Sequence, residues 1–143
     1  MNPEQRKRLA QDQTEIDEIT RQFFDLFTNT NDRIPDIQQI KQLFLPTGIL
    51  INNTSGTPAV YNLDQFIAPR AQILTDGTLI DFMEKETAHQ TEIHDNIAQR
   101  SCQYEKSGIL KGAPFTGEGR KLMHFIKQGG KWILAAVVWS DMK

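Results

Sequence analysis

Residues Arg120 to Asp141 read RKLMHFIKQGGKWILAAVVWSD, two β-prone runs separated by a glycine pair. Gly129-Gly130 supplies the positive φ angles of a tight hairpin, so the stretch predicts strands over 120–128 and 131–141. In that register His124 sits beside Ala135, on the face of Ile126, Val137 and Trp139. The run Trp132 to Trp139 (WILAAVVW) is apolar on both alternating faces. A strand of that kind is covered on both sides. We therefore expect helices against one face of the sheet and a second copy of the chain against the other, a homodimer through the sheet.

Working back towards the N-terminus, Leu79 to Ile93 and Ile97 to Leu110 are two long strand-like segments joined by His94, Asp95 and Asn96. A three-residue loop sets Lys85 against Glu105 and Glu84 against Lys106, whereas a two-residue loop sets Glu86 against Glu105. Opposed unlike charges help a sheet and like charges weaken it, so the first register is preferred. Gly112 to Gly119 (GAPFTGEG) lacks the lysine of a phosphate loop and reads as a flexible connection.

The N-terminal half has a helical texture. Ile16, Ile19, Phe23, Leu26 and Phe27 fall on one stripe, and Thr14 is placed to cap a helix ending near Asn29. Residues 1–13 offer nothing to bury and are expected to form a flexible segment, leaving 14–143 as a single domain. Pro35 and Asp36 open a shorter helix carrying Ile37, Ile40, Leu43 and Phe44, which Pro46 and Gly48 end. Gly48 to Asn53 reads as a strand. Asn62 and Gln65 form the pattern of a capping box ahead of Leu63, Phe66 and Ile67, with Pro69 expected to break that helix. Helices followed by a long antiparallel sheet make an α+β fold with the helices gathered on one face of a strongly curved sheet.

The chain has 143 residues, 16 Lys and Arg against 18 Asp and Glu, and a formal charge of −2. No basic face is available to displace counterions, which argues against a nucleic-acid partner. No apolar run approaches the roughly 20 residues that span a bilayer. Neither a secretory leader nor a disulfide framework is legible, since Cys102 is the single cysteine. The expectation is a soluble, cytoplasmic protein. The histidines and Cys102 lack metal-ligand spacing, so no metal is expected, and no cofactor motif is present.

The order of elements, the Gly-Gly-Lys-Trp-Ile hairpin and the terminal Trp139 resemble the nuclear transport factor 2-like, or SnoaL-like, superfamily. Phe82 to Glu105 (FMEKETAHQTEIHDNIAQRSCQYE) more specifically resembles an uncharacterised bacterial branch of it, with a Glu-x-Glu strand followed by Asn-Ile-Ala and Ser-x-Tyr-Glu. Arg100 and Cys102 depart from that branch, standing where a small aliphatic residue and a serine are expected. The resemblance covers nearly the whole chain from Thr14. It implies a bent sheet wrapped around helices as a cone with an internal pocket. Superfamily members include isomerases, dehydratases, cyclases, ligand binders and assembly modules, so the fold assigns no reaction.

In the preferred register Phe82, Glu84 and Glu86 share a face with Ala98, Arg100, Cys102 and Tyr104. On a concave face, Glu86 is the candidate base, Tyr104 the hydrogen-bond donor to a developing oxyanion, and Arg100 the orienting charge. As plain structure, the same carboxylates form cross-strand ion pairs, Glu84 with Lys106 and Glu86 with Arg100. Phe23, Phe27, Phe82, Glu84, Cys102, His124 and Trp139 are the candidate ligand-binding residues. As core residues instead, His124 is hydrogen-bonded and Cys102 a small buried thiol. His89 falls on the face opposite Glu86. The function read from these residues is a domain binding a small apolar or aromatic molecule, with cofactor-free isomerase, dehydratase or cyclase-like activity. The alternative is a non-catalytic dimerisation or ligand-binding module.

Overall fold

Asn2 opens the first helix. Its side chain accepts the Gln5 amide, the Gln5 side chain accepts the Asn2 amide, and Pro3 occupies the first turn, where a missing N–H costs nothing. In the computed structural model, which describes residues 1–143, helix α1 therefore runs over Pro3–Asp25. This corrects the expected helix start at Thr14: the polar residues before it are helical from Pro3. Thr14 lies inside the helix, its hydroxyl bonded to the Ala10 carbonyl. The apolar stripe begins only at Ile16, so periodicity is blind to the polar turns before it. Those turns are anchored by buried Asp12, which accepts hydrogen bonds from the Trp132 indole and the Lys127 ammonium, each at 2.9 Å.

A single turn, Ile37–Gln39, leads into the short helix α2, Ile40–Leu43, and buries Ile37, Ile40 and Leu43 as their spacing predicts. Phe44 already belongs to strand β1, Phe44–Asn52, which absorbs Pro46 and Gly48 in an irregularity between Phe44 and Ile49. Strand β2, Ala59–Tyr61, pairs with β1 at the sheet edge. Helix α3, Leu63–Ile73, is capped by Asn62 and Gln65 as predicted. Pro69 lies within it and does not break it.

Strands β3 (Leu79–His94), β4 (Ile97–Leu110), β5 (Ala113–Gln128) and β6 (Lys131–Asp141) complete a six-stranded sheet of order β2-β1-β6-β5-β4-β3. The sheet is mixed, because β1 runs parallel to β6. This corrects the wholly antiparallel expectation. Hairpins announce their direction through their turns, whereas pairing between strands at opposite ends of the chain leaves no local trace. The β5–β6 turn is formed by Gly129 and Gly130 at φ 58° and 80°, as predicted.

The β3–β4 hairpin has the predicted pairs Lys85 with Glu105, Glu84 with Lys106 and Glu86 with Tyr104. Its loop is nonetheless two residues, with His94 paired to Ile97. A bulge at Thr87 reconciles the two by inserting one extra residue on β3. Beyond the bulge the facing residues change: Arg100 lies opposite Thr91, not Gln90, and His89 lies opposite Cys102 instead of on the other face. Residues 113–119 belong to β5, so the expected flexible connection shrinks to a Lys111-Gly112 turn. Met123 and Phe125 are buried between helices and sheet.

A second bulge, Ala135 on β6, sets His124 opposite Ala136. Its residue-two rhythm shifts there, so Trp132 and Leu134 point inward together with Val137 and Trp139, while His124 is exposed on the outer face. Such bulges bend strands, and here they curl the sheet over α1 and α3. Phe23, Phe27, Phe44 and Phe66 form an apolar wall between helices and sheet, with ring centroids 5.4 Å apart for Phe23–Phe27 and 6.0 Å for Phe27–Phe66. Asn29 ties its rim. Its side-chain amide donates to the Leu74 and Leu79 carbonyls, and its side-chain oxygen accepts the Phe82 amide at 2.7 Å.

Candidate functional site

Between α1, α3 and the hollow face of the sheet lies a cavity of about 310 Å³. Its walls are mainly apolar, with Phe23 and Phe27 from the α1 side, Phe66, Ile73 and Leu74 from α3, and Phe82, Phe115 and Trp139 from the sheet. Two carboxylates, Glu84 and Asp141, and three cations, Arg70, Lys106 and Lys121, interrupt that lining. An apolar hollow with a few converging polar groups is the usual form of a small-molecule site.

Most of these charges are matched. Lys121 lies 2.7 Å from Glu84 Oε1, both side chains being about nine-tenths buried at 8% and 11% exposure. The Lys121 ammonium also rests 4.2 Å from the centre of the Tyr104 ring. Glu84 Oε1 is buried and has no hydrogen-bond partner beyond this ion pair. Lys106 donates to Asp141 at 2.9 Å, and the Tyr104 hydroxyl donates a short hydrogen bond to the other Asp141 oxygen. Burial raises the Asp141 carboxyl, but the bonds from Tyr104 and Lys106 outweigh it and hold the group below its ordinary value. Burial first, and Asp141 second, push the Tyr104 phenol well above the usual tyrosine range. Asp141 is thus an ionised acceptor and Tyr104 a neutral donor.

No protein-family model matches the chain, and no curated protein matches it in sequence. Solved structures do match in shape. A nuclear transport factor 2-like superfamily protein from Salmonella enterica serovar Typhimurium is 16% identical, with 94% of each chain covered and a TM-score of 0.76. A type 2 hexachlorocyclohexane dehydrochlorinase is 10% identical, with 95% of this chain and 88% of that one covered and a TM-score of 0.76. A protein of unknown function with a cystatin-like fold from Nostoc punctiforme is 15% identical, with 93% and 92% covered and a TM-score of 0.71. The chain has the nuclear transport factor 2-like fold. Identities of this size carry architecture and no chemistry.

Within this nuclear transport factor 2-like cone, the three residues read from the sequence as catalytic do not meet at one point. Arg100 grips Glu86 with two hydrogen bonds, Nε to Oε2 at 2.9 Å and a terminal nitrogen to Oε1 at 2.6 Å. Its other terminal nitrogen bonds Asp17 at 2.6 Å and Thr91 at 3.1 Å. Burial alone lowers the guanidinium, but Glu86 and Asp17 overcompensate and raise it above the ordinary arginine value. Glu86 is therefore held as an ion-pair partner beneath α1. It lines a different, mostly polar hollow of about 410 Å³ between α1 and β3. Tyr104 turns instead to Asp141, on the cavity side.

Phe23, Phe27, Phe82, Glu84 and Trp139 all line the cone cavity. The Glu84 partner is Lys121, not the Lys106 expected from the hairpin register, because Lys106 reaches over Gly117 to Asp141. Cys102 and His124 lie elsewhere. Cys102 is buried with its sulfur 3.6 Å from that of Met123, and burial followed by Glu86 pushes its thiol far above the usual cysteine range. His124 leaves the inner face because of the Ala135 bulge. The chain contains no cluster of three or more His, Cys, Asp or Glu side chains placed to hold a metal.

Sequence reasoning missed Arg70, Lys121 and Asp141. Asp141 carried a usable signal, since strand alternation places it on the face of Trp139, where a charged residue needs a partner. Lys121 carried none, because it faces Trp139 only through the Ala135 bulge. Arg70 carried none, because an arginine in the last turn of a helix is ordinary.

Proposed function

We propose that this chain is a small-molecule-binding domain whose ligand, small and largely apolar or aromatic, occupies the cone cavity. The observation that carries the reading is the hollow itself: about 310 Å³ remains between Phe23, Phe27, Phe66, Phe82, Phe115 and Trp139, where a pure assembly module would fill the space with side chains. Ring-lined walls favour flat aromatic bodies, which gain from edge and face contacts beyond area alone. Thermal unfolding with a panel of small aromatic compounds tests it. A ligand that binds the native state raises the midpoint, and a Phe82→Ala variant that changes the panel's ranking supports the cavity as the place. A panel without effect at millimolar concentration contradicts it.

A second reading, cofactor-free proton transfer of the isomerase, dehydratase or cyclase kind, is favoured by one observation. Glu84 is a buried carboxylate on the cavity wall whose Oε1 has no hydrogen-bond partner beyond its ion pair with Lys121. In this reading Glu84 takes the base role first given to Glu86, whose oxygens are occupied by Arg100, and the Lys121 ammonium stabilises negative charge developing on the substrate. Glu84→Gln keeps the shape and removes the base. Turnover that survives the change at parental rate contradicts the role.

We also propose that the outer face of the sheet pairs two copies of the chain. Val60, Ile51, Val138 and Leu122 form one row across β2, β1, β6 and β5, with Val60 57% and Leu122 50% exposed. A row of aliphatic side chains facing water gains by being covered. Light scattering at micromolar concentration supports the pairing by a doubled mass, and a monomer contradicts it.

A further inference from the structure

We infer that the cavity ligand carries a single anionic group, a carboxylate, seated on Arg70. The inference rests on the cavity-binding reading and adds the chemical class of the ligand, an aryl or arylalkyl carboxylic acid.

The argument begins with charge. Glu84 is matched by Lys121 and Asp141 by Lys106, which leaves Arg70 as the lining cation without a carboxylate partner. Its guanidinium is not idle surface. It lies 3.7 Å from the centre of the Phe66 ring, 5.3 Å from that of Tyr61 and 5.8 Å from that of Trp139. These rings hold Arg70 in the last turn of α3, at the cavity wall. One terminal nitrogen donates to the Phe66 carbonyl at 3.1 Å. That bond and the neighbouring Tyr61 hydroxyl occupy only part of the five-donor guanidinium, and no carboxylate pairs with it.

Burial pulls the guanidinium below the ordinary arginine value, more than neighbouring Tyr61 and Glu84 restore. Aromatic faces attract the cation but accept no in-plane hydrogen bond. A planar, bidentate anion satisfies both the charge and the donors, and a carboxylate matches the fork of the guanidinium. The remaining lining is apolar and ring-rich, so the body of the ligand is aromatic. A volume of about 310 Å³ holds one ring with a short side chain.

The test uses the full chain at pH 7 and three probes of nearly one shape: 3-phenylpropanoate, its amide, and 3-phenylpropylamine. Affinities are read by calorimetry and cross-checked by thermal shift. The proposal expects the acid to bind about tenfold or more tightly than the amide and the amine to bind weakest. It further expects Arg70→Met to erase the acid-over-amide preference while amide binding persists, and Arg70→Lys to keep part of that preference. Acid and amide of equal affinity to the parent overturn the anion claim and leave cavity binding standing. So does an acid preference that survives in Arg70→Met. Failure of all three probes overturns both. The parent comparison needs no variant, so a poorly folded Arg70→Met does not blunt the result.

Discussion

Tyr104 and Asp141 face one another across an intervening strand, in the row Tyr104, Gly119, Asp141 on β4, β5 and β6, and the phenol crosses the bare glycine to donate to the carboxylate. A Cβ at Gly119 would fall 2.6 Å from the Ser140 carbonyl oxygen and into the Tyr104 hydroxyl. The glycine is therefore a condition of the contact. A ring laid over a glycine also restores packing that the strand would otherwise lack. We expect Gly119→Ala to destabilise the fold by about 1–3 kcal/mol, as overpacking does. Urea unfolding of this variant checks it, and unchanged stability would show that the phenol has room to move.

Tyr104→Phe and Asp141→Asn should be coupled. Each single change removes a hydrogen bond to an ionised group, and the double change removes it once, giving an interaction energy of about 1–2 kcal/mol in a double-mutant cycle. Additive losses would mean that the bond is absent in solution.

Asn29 holds the cavity rim by bonding the Leu74 and Leu79 carbonyls and the Phe82 amide. Asn29→Ala leaves these buried backbone groups short of partners and should cost about 2–3 kcal/mol. Asn29→Asp replaces the donating amide with a carboxylate that cannot serve the two carbonyls, so it should be no milder. Equilibrium unfolding of both variants decides, and an Asp variant as stable as the parent would contradict this bonding pattern.

Asp17 and Asp141 both sit below their ordinary value of 3.8 in the folded chain. At each, burial raises the carboxyl but is outweighed by hydrogen bonds, chiefly from Arg100 at Asp17 and from Tyr104 at Asp141. A carboxyl lowered on folding binds protons more tightly when the chain is unfolded. Its stabilisation is complete above 3.8 and is lost as pH falls below that value through the lowered folded one. Unfolding midpoints measured from pH 6 to pH 2 should therefore drop on the acid side, and Asp141→Asn should flatten part of the slope. A variant profile parallel to the parent's would remove Asp141 from the account.

How much of this was legible in the sequence depends on how local each signal is. The Gly129-Gly130 turn, the Asn62–Gln65 box and the apolar spacing of Ile16, Ile19 and Phe23 were readable because cause and effect lie within a few residues. The charge pairs of the β3–β4 hairpin gave the correct register although the loop was one residue shorter than expected, because the bulge at Thr87 compensates. Bulges are what the sequence conceals. The one at Ala135 turned His124 outward, and none of the flanking residues marks it. Long-range placement is equally hidden. The parallel β1–β6 pairing, the Asp12–Trp132 anchor and the assembly of Arg70, Glu84, Lys121 and Asp141 around one hollow each join residues from distant parts of the chain. The apolar walls were foreseeable because hydrophobic spacing names them. Among the charged groups inside, Glu84 was named from the hairpin register, whereas Arg70 and Lys121 look like ordinary surface until the sheet curls over them.

The most direct test of the cavity as a binding site is methyl NMR on the full chain, with the Ile and Leu methyl groups labelled and 3-phenylpropionamide and 3-phenylpropanoate titrated in turn. The account predicts saturable shifts concentrated on Ile73, Leu74, Leu79 and Leu110, which line the hollow, with Leu122 on the outer face and Ile80 unmoved. Shifts confined to surface methyls, or no saturable change with either probe, would contradict it.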